Sequence, residues 1–205
     1  MKLVLSHIFL LFLLPTVIFA NINMPNTENH SSDTIVYQID TDSSYIHWYC
    51  DLHNGHVFLD SGYISMINDE ILSGKFVICM ESILDLDIDD YELMKVTLEN
   101  TLKSIEFFNT PLFHNSYFEF DQSEKSDSGY LITGELELMG IDQCISFDSK
   151  FEFDDDNLII TSDSLIINRT HWGITSMSEM DAKSNDSFIV PNDIGIVIHL
   201  VAKQE

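Results

Sequence analysis

The chain has 205 residues; 45 % are apolar, and 34 acids against 9 Lys plus Arg give a formal net charge of −25. That is one domain's length with enough apolar side chain for a core, which excludes a disordered linker. So negative a field repels phosphate backbones and anionic bilayer surfaces, which excludes a nucleic-acid partner.

Met1-Lys2 opens the chain with a positive charge, 3–20 is almost continuous hydrocarbon, and Ala20 is small. Residues 1–20 therefore read as a secretory signal peptide. Its apolar run approaches the length of a membrane span, but flanking charge is sparse and polar sequence follows from Asn21. The expectation is a periplasmic or secreted protein with no integral membrane anchor after processing. Residues 21–34 are polar and aperiodic and read as a disordered leader, and 35–205 as the folded domain.

From there apolar residues alternate with period two, the mark of half-buried strands. Ile46, Trp48 and Cys50 share one face, and Leu72, Gly74, Phe76, Ile78 and Met80 another. Between 90 and 105 the spacing changes: Met94, Leu98, Leu102 and Ile105 make one stripe of a helix, with Asp89 or Asp90 to cap its start. Alternation then resumes with Phe118 and Phe120, with Tyr130, Ile132, Gly134, Leu136 and Leu138, with Ile145, Phe147, Phe151 and Phe153, and with Ile194, Ile196, Ile198 and Leu200.

Turn signals at Asn54-Gly55, Ser128-Gly129 and 154–157 are short, which predicts antiparallel pairing. Seven or eight such strands close most economically as an all-β barrel, with one helix inserted mid-chain. A barrel of about eight strands is either filled by side chains or wide enough for one small ligand, and periodicity does not decide between them. The residues expected to point inward are Trp48, Ile64, Phe76, Ile78, Phe118, Phe120, Ile132, Leu136, Leu138, Phe147, Ile196 and Ile198.

Candidate chemistry is thin. Cys50, Cys79 and Cys144 leave at least one thiol unpaired, and no Cys/His zinc spacing occurs. His47, His53 and His56 lie close together, but no carboxylate spacing completes a ligand set, and His56 reads as a structural hydrogen-bonding residue. The aspartate runs at 85–90 and 154–156 lack the spacing of a calcium loop and read as caps and solvated turns. With no nucleophile elbow and no phosphate-cradling loop, neither a catalytic residue nor a metal is expected, and the chain is not expected to be an enzyme.

Four ordered segments resemble a known family. They are Trp48 followed by Gly55-His56 and Gly62; Gly74-Lys75-Phe76-Val77-Ile78 with Met80-Glu81-Ser82-Ile83; Leu102-Lys103-Ser104-Ile105-Glu106-Phe107-Phe108; and Gly134-Glu135-Leu136-Glu137-Leu138-Met139-Gly140 together with Asn168-Arg169-Thr170-His171-Trp172-Gly173-Ile174. In this order they resemble the YceI-like family of exported proteins, with Val57 where a small residue is usual and Cys79 where Asp is usual. The resemblance implies a lipocalin-like barrel with an apolar channel. It also implies a non-covalent amphiphilic lipid, such as a prenyl diphosphate or isoprenoid quinone, as ligand; it implies no cofactor and admits a homodimer.

The expected function is an exported lipid carrier lined by the twelve inward residues. The alternative is a secreted stress-related or surface interaction protein with a filled, ligand-free barrel. Arg169, the single arginine of the chain, and Lys103 are the candidates for a lipid head group. Arg169 also suits an ion pair holding the 168–174 loop, and Lys103 the helix dipole.

Overall fold

In the computed structural model, residues 34–88, 91–127, 129–154, 157–179, 181 and 189–204 are described. The expected signal peptide, the leader up to residue 33, and Asp89 and Asp90 lie outside them; Thr34, placed in the leader above, already begins a strand. Strands run as β1 (Thr34–Ile39), β2 (Tyr45–Tyr49), β3 (Asn54–Ile67) and β4 (Glu70–Asp85), then helix α1 (Glu92–Lys103). After the helix come β5 (Asn115–Ser126), β6 (Gly129–Leu138), β7 (Ile141–Asp154), β8 (Asn157–Ser162), β9 (Leu165–Asn168) and β10 (Asp193–Gln204).

All pairings are antiparallel, and neighbours from β2 to β8 are consecutive in sequence. β10 closes the ring. It takes β2 and β1 end to end along one edge, and β9 and β8 along the other. β1 and β2 also follow each other along β3. The ten strands thus make eight staves of a closed barrel, which leaves no long open edge.

Period-two burial is clear along β4, β5, β6 and β8 and breaks at bulges. Leu72 is the extra residue where Ser65 pairs with Ser73 but Met66 pairs with Ile71. Burial accordingly passes to Ile71, and Leu72, grouped by its spacing with Phe76 and Ile78, faces solvent. A wider irregularity lies between the Phe58–Cys79 and His56–Leu84 pairs, where the Ser82 hydroxyl accepts from Phe58 N–H (2.8 Å) and donates to the Cys79 carbonyl (2.6 Å). It turns both Met80 and Ile83 inward. Phe153, grouped by its spacing with Phe147 and Phe151, is exposed and stands 5.9 Å from the Tyr37 ring. The Asn54-Gly55 pair opens β3 instead of forming the turn, which is closed by Cys50 N–H donating to the His53 carbonyl (2.9 Å).

Helix α1 starts from Tyr91, which makes no side-chain cap. Its expected stripe is split. Leu98 and Leu102 face the barrel interior, whereas Met94 (59 %) and Ile105 (78 %) are exposed. The helix rests on the barrel end near β4, where Glu99 Oε1 accepts from the backbone N–H of Asp85 (3.0 Å). Among the described residues no helix is long and apolar enough to cross a membrane.

Candidate functional site

The barrel is not filled. It encloses a cavity of about 430 Å³, within the roughly 300–1,000 Å³ typical of small-molecule sites. All twelve residues expected inward border it. So do Met80, which keeps the parity of Phe76 and Ile78, and Val57, Leu59 and Ile83 around the bulges, where parity counting loses the face. At one end Ile39, Met66, Ile71, Leu158 and Ala202 pack into solid core; at the other, Leu98 and Leu102 of α1, Phe107, Phe108 and the segment around Arg169 complete the wall.

The lining is almost wholly hydrocarbon and aromatic. Phe76 lies 6.1 Å from Phe118 and 6.4 Å from Phe120, and Phe147 lies 5.6 Å from Phe118, in a run of rings up one wall. Gly74 makes room for that run: a Cβ there would stand 2.5 Å from the Phe120 ring. An apolar cavity of this kind holds water poorly and takes up apolar ligands. Three polar atoms on lining residues, Trp48 Nε1, His53 Nδ1 and Ser149 Oγ, are buried without a hydrogen-bond partner.

Arg169 is 5 % exposed and borders the cavity. Its guanidinium faces carbonyls rather than the carboxylate expected from the acid-rich composition: Nε donates to Pro191 O (3.0 Å), Nη1 to Ile174 O (2.9 Å) and Nη2 to Val190 O (3.1 Å). Cζ also lies 5.6 Å from the centroid of the Phe107 ring. Burial pulls its pKa below the ordinary arginine value, but an arginine remains protonated.

The motif around it has local reasons. Asn168 Oδ1 caps the following turn by accepting from Thr170 N–H (3.1 Å). Trp172, buried, donates from Nε1 to the Leu136 carbonyl of β6 (3.1 Å). Gly173 ends the turn at φ +75°, a conformation side chains resist. The Phe107 motif and the Arg169 motif therefore meet at one end of the barrel. Lys103 ends α1 and does not border the cavity.

His56 stacks on Tyr45 (4.2 Å between centroids) and meets His47 edge-on (5.4 Å). Burial, and then the His47 ring, push its pKa below the ordinary value. His53 stands apart from both, against Asp85 and Asp87. Cys50, Cys79 and Cys144 are all free thiols; Cys50 borders the cavity, and burial and Asp60 raise the Cys79 pKa.

A closed antiparallel barrel around an apolar cavity, with one helix across its end, defines a class of small-ligand-binding folds. The YceI-like domain model matches residues 37–202, and the chain belongs to that family. Among solved structures it is similar to BcnA of Burkholderia cenocepacia, with 16 % identity, a TM-score of 0.65, and 80 % of this chain and 99 % of that one covered. It is also similar to a polyisoprenoid binding domain from Saccharophagus degradans implicated in plant cell wall breakdown, with 10 % identity, a TM-score of 0.57 and coverage of 82 % and 98 %. No curated protein matches the sequence.

Proposed function

We propose that this chain is an exported, non-enzymatic carrier that holds one amphiphilic isoprenoid or comparable long-chain lipid in the barrel cavity. The observation that carries the reading is the apolar cavity itself, walled by phenylalanines and aliphatic residues. Membership of the YceI-like family and likeness to a polyisoprenoid binding domain support the isoprenoid class. Each isoprene unit taken from water contributes about 3–4 kcal/mol gross at ~0.8 kcal/mol per CH₂. A few units therefore offset the cost of association without any polar anchor.

The head group on this reading is neutral. A chain of net charge −25 disfavours the approach of an anion, and the cation at the cavity wall already serves three carbonyls. The test is native mass spectrometry and solvent extraction of the purified protein, then titration with geranylgeraniol and with geranylgeranyl diphosphate. The reading expects a stoichiometric co-purified lipid or saturable alcohol binding, with the diphosphate weaker. Saturable binding of neither sinks the carrier reading, and a preference for the diphosphate sinks the neutral head.

A further inference from the structure

The β3–β4 ladder sets Gly55 opposite Asp85, which brings His53, two residues earlier in the turn after β2, against the end of β4. His53 Nδ1 lies 3.8 Å from Asp85 Oδ2 and 3.4 Å from Asp87 Oδ2, and one ligand atom from each residue falls within 4.8 Å of the others. The two shorter distances approximate the ~3.3–3.5 Å edge between tetrahedral ligands placed about 2.0–2.2 Å from one ion.

Each carboxylate is held by one oxygen and presents the other. Asp85 Oδ1 accepts from the N–H groups of Asp87 (3.2 Å) and Ile88 (2.8 Å). Asp87 Oδ1 accepts from Asn54 N–H (3.4 Å). The Asp85 side chain is 0 % exposed, yet its Oδ2 has no hydrogen-bond partner, and neither has His53 Nδ1. A buried carboxylate oxygen left bare beside a bare imidazole nitrogen is costly unless something positive joins them.

We propose that His53, Asp85 and Asp87 form a binding site for one divalent transition-metal ion of the Zn²⁺ type, at the α1 end of the barrel. One imidazole nitrogen with two carboxylates is a three-ligand set that leaves an open position, and imidazole favours zinc-like ions over the all-oxygen shells of Ca²⁺ or Mg²⁺. The backbone N–H donors to Asp85 and Asp87 are the orienting contacts such ligands need. The ion links the turn after β2, the end of β4 and, through Glu99 on Asp85 N–H, the helix. A competing occupant is a proton shared by the two aspartates, since burial and Asp87 push the Asp85 carboxyl up.

The experiment is isothermal titration of the untagged mature protein with ZnCl₂, with CaCl₂ and MgCl₂ in parallel, and thermal melts of each mixture. Expected are one saturable Zn²⁺ per chain at micromolar or better affinity, a raised melting midpoint, and no comparable effect of the other two ions. Asp85→Asn keeps the turn's acceptor but loses the charge, and it weakens Zn²⁺ binding at least about tenfold; so does His53→Ala, at a half-exposed position, should the first variant fold poorly. No saturable heat up to millimolar Zn²⁺ overturns the site in favour of the shared proton. Undiminished binding in both variants overturns it as well, by placing the ion elsewhere.

Discussion

Arg169→Lys is the most informative single change. The guanidinium reaches three carbonyls that belong to separate points, Ile174 just past the turn and Val190 and Pro191 before β10. A lysine ammonium keeps the charge but has no planar fork, and from one stem it serves one of the three. Two charge-assisted bonds are then lost in a place water does not reach, at roughly 1.5 kcal/mol or more each, or about 3 kcal/mol together. At roughly 2–4 °C per kcal/mol for a chain of this size, the midpoint falls by about 6–12 °C. Affinity for geranylgeraniol, measured well below the midpoint and scaled to folded protein, stays unchanged. The assay pairs a thermal melt with that titration. A midpoint within about 2 °C of the parent, together with a tenfold loss of affinity, refutes this reasoning and returns Arg169 to head-group contact.

Leu136→Trp puts an indole into the cavity, so lipid stoichiometry falls sharply while the melt stays cooperative; full lipid occupancy in a folded variant shows that the ligand sits elsewhere. Gly55→Ala drives a Cβ to 1.9 Å from the Leu84 carbonyl and 2.5 Å from the Trp48 ring. It is expected to destabilise by roughly 3 kcal/mol in urea unfolding, and a neutral result denies the close approach of β3 to β4. Because the folded-state pKa of His56 lies below the ordinary 6.5, the unfolded chain takes up that proton first. Its contribution to stability is present above about pH 6.5 and is lost as pH falls. His56→Gln is expected to flatten this fall between pH 7 and 5, and parallel stability curves for parent and variant contradict it.

The fold was legible because one face of every stave is apolar, and a two-residue period exposes which face that is. Leu72 and Phe153 mark where this rule stops. A bulge shifts parity by one residue, and a strand that outruns the barrel no longer has an inside. Periodicity also cannot distinguish Ile64 in a wall from Ile71 in solid core, because both are equally apolar and equally buried. The partners of Arg169 were out of reach for another reason. Backbone carbonyls carry no residue type, so composition pointed to the abundant acids instead. His53 and Asp85 meet only through the strand register, and the histidines nearest in sequence, His47 and His56, drew attention away from that pairing.

The closing strand has a consequence for the order in which the chain folds. β10 is the last of the ten strands, yet it carries the pairing partners of the first two, Tyr37 with Gln204 and Ile46 with Ile198, and of β8 and β9 as well. Until residues 193–204 are available, β2 through β8 form a curled sheet with two unpaired edges and an unshielded apolar face. Contacts of such long sequence separation make ring closure slow compared with hairpin formation. A nascent chain therefore exposes sticky edges for most of its synthesis. Loss of the final strand unseals both sides of the barrel at once, so a truncated chain is an aggregation hazard and not a smaller barrel.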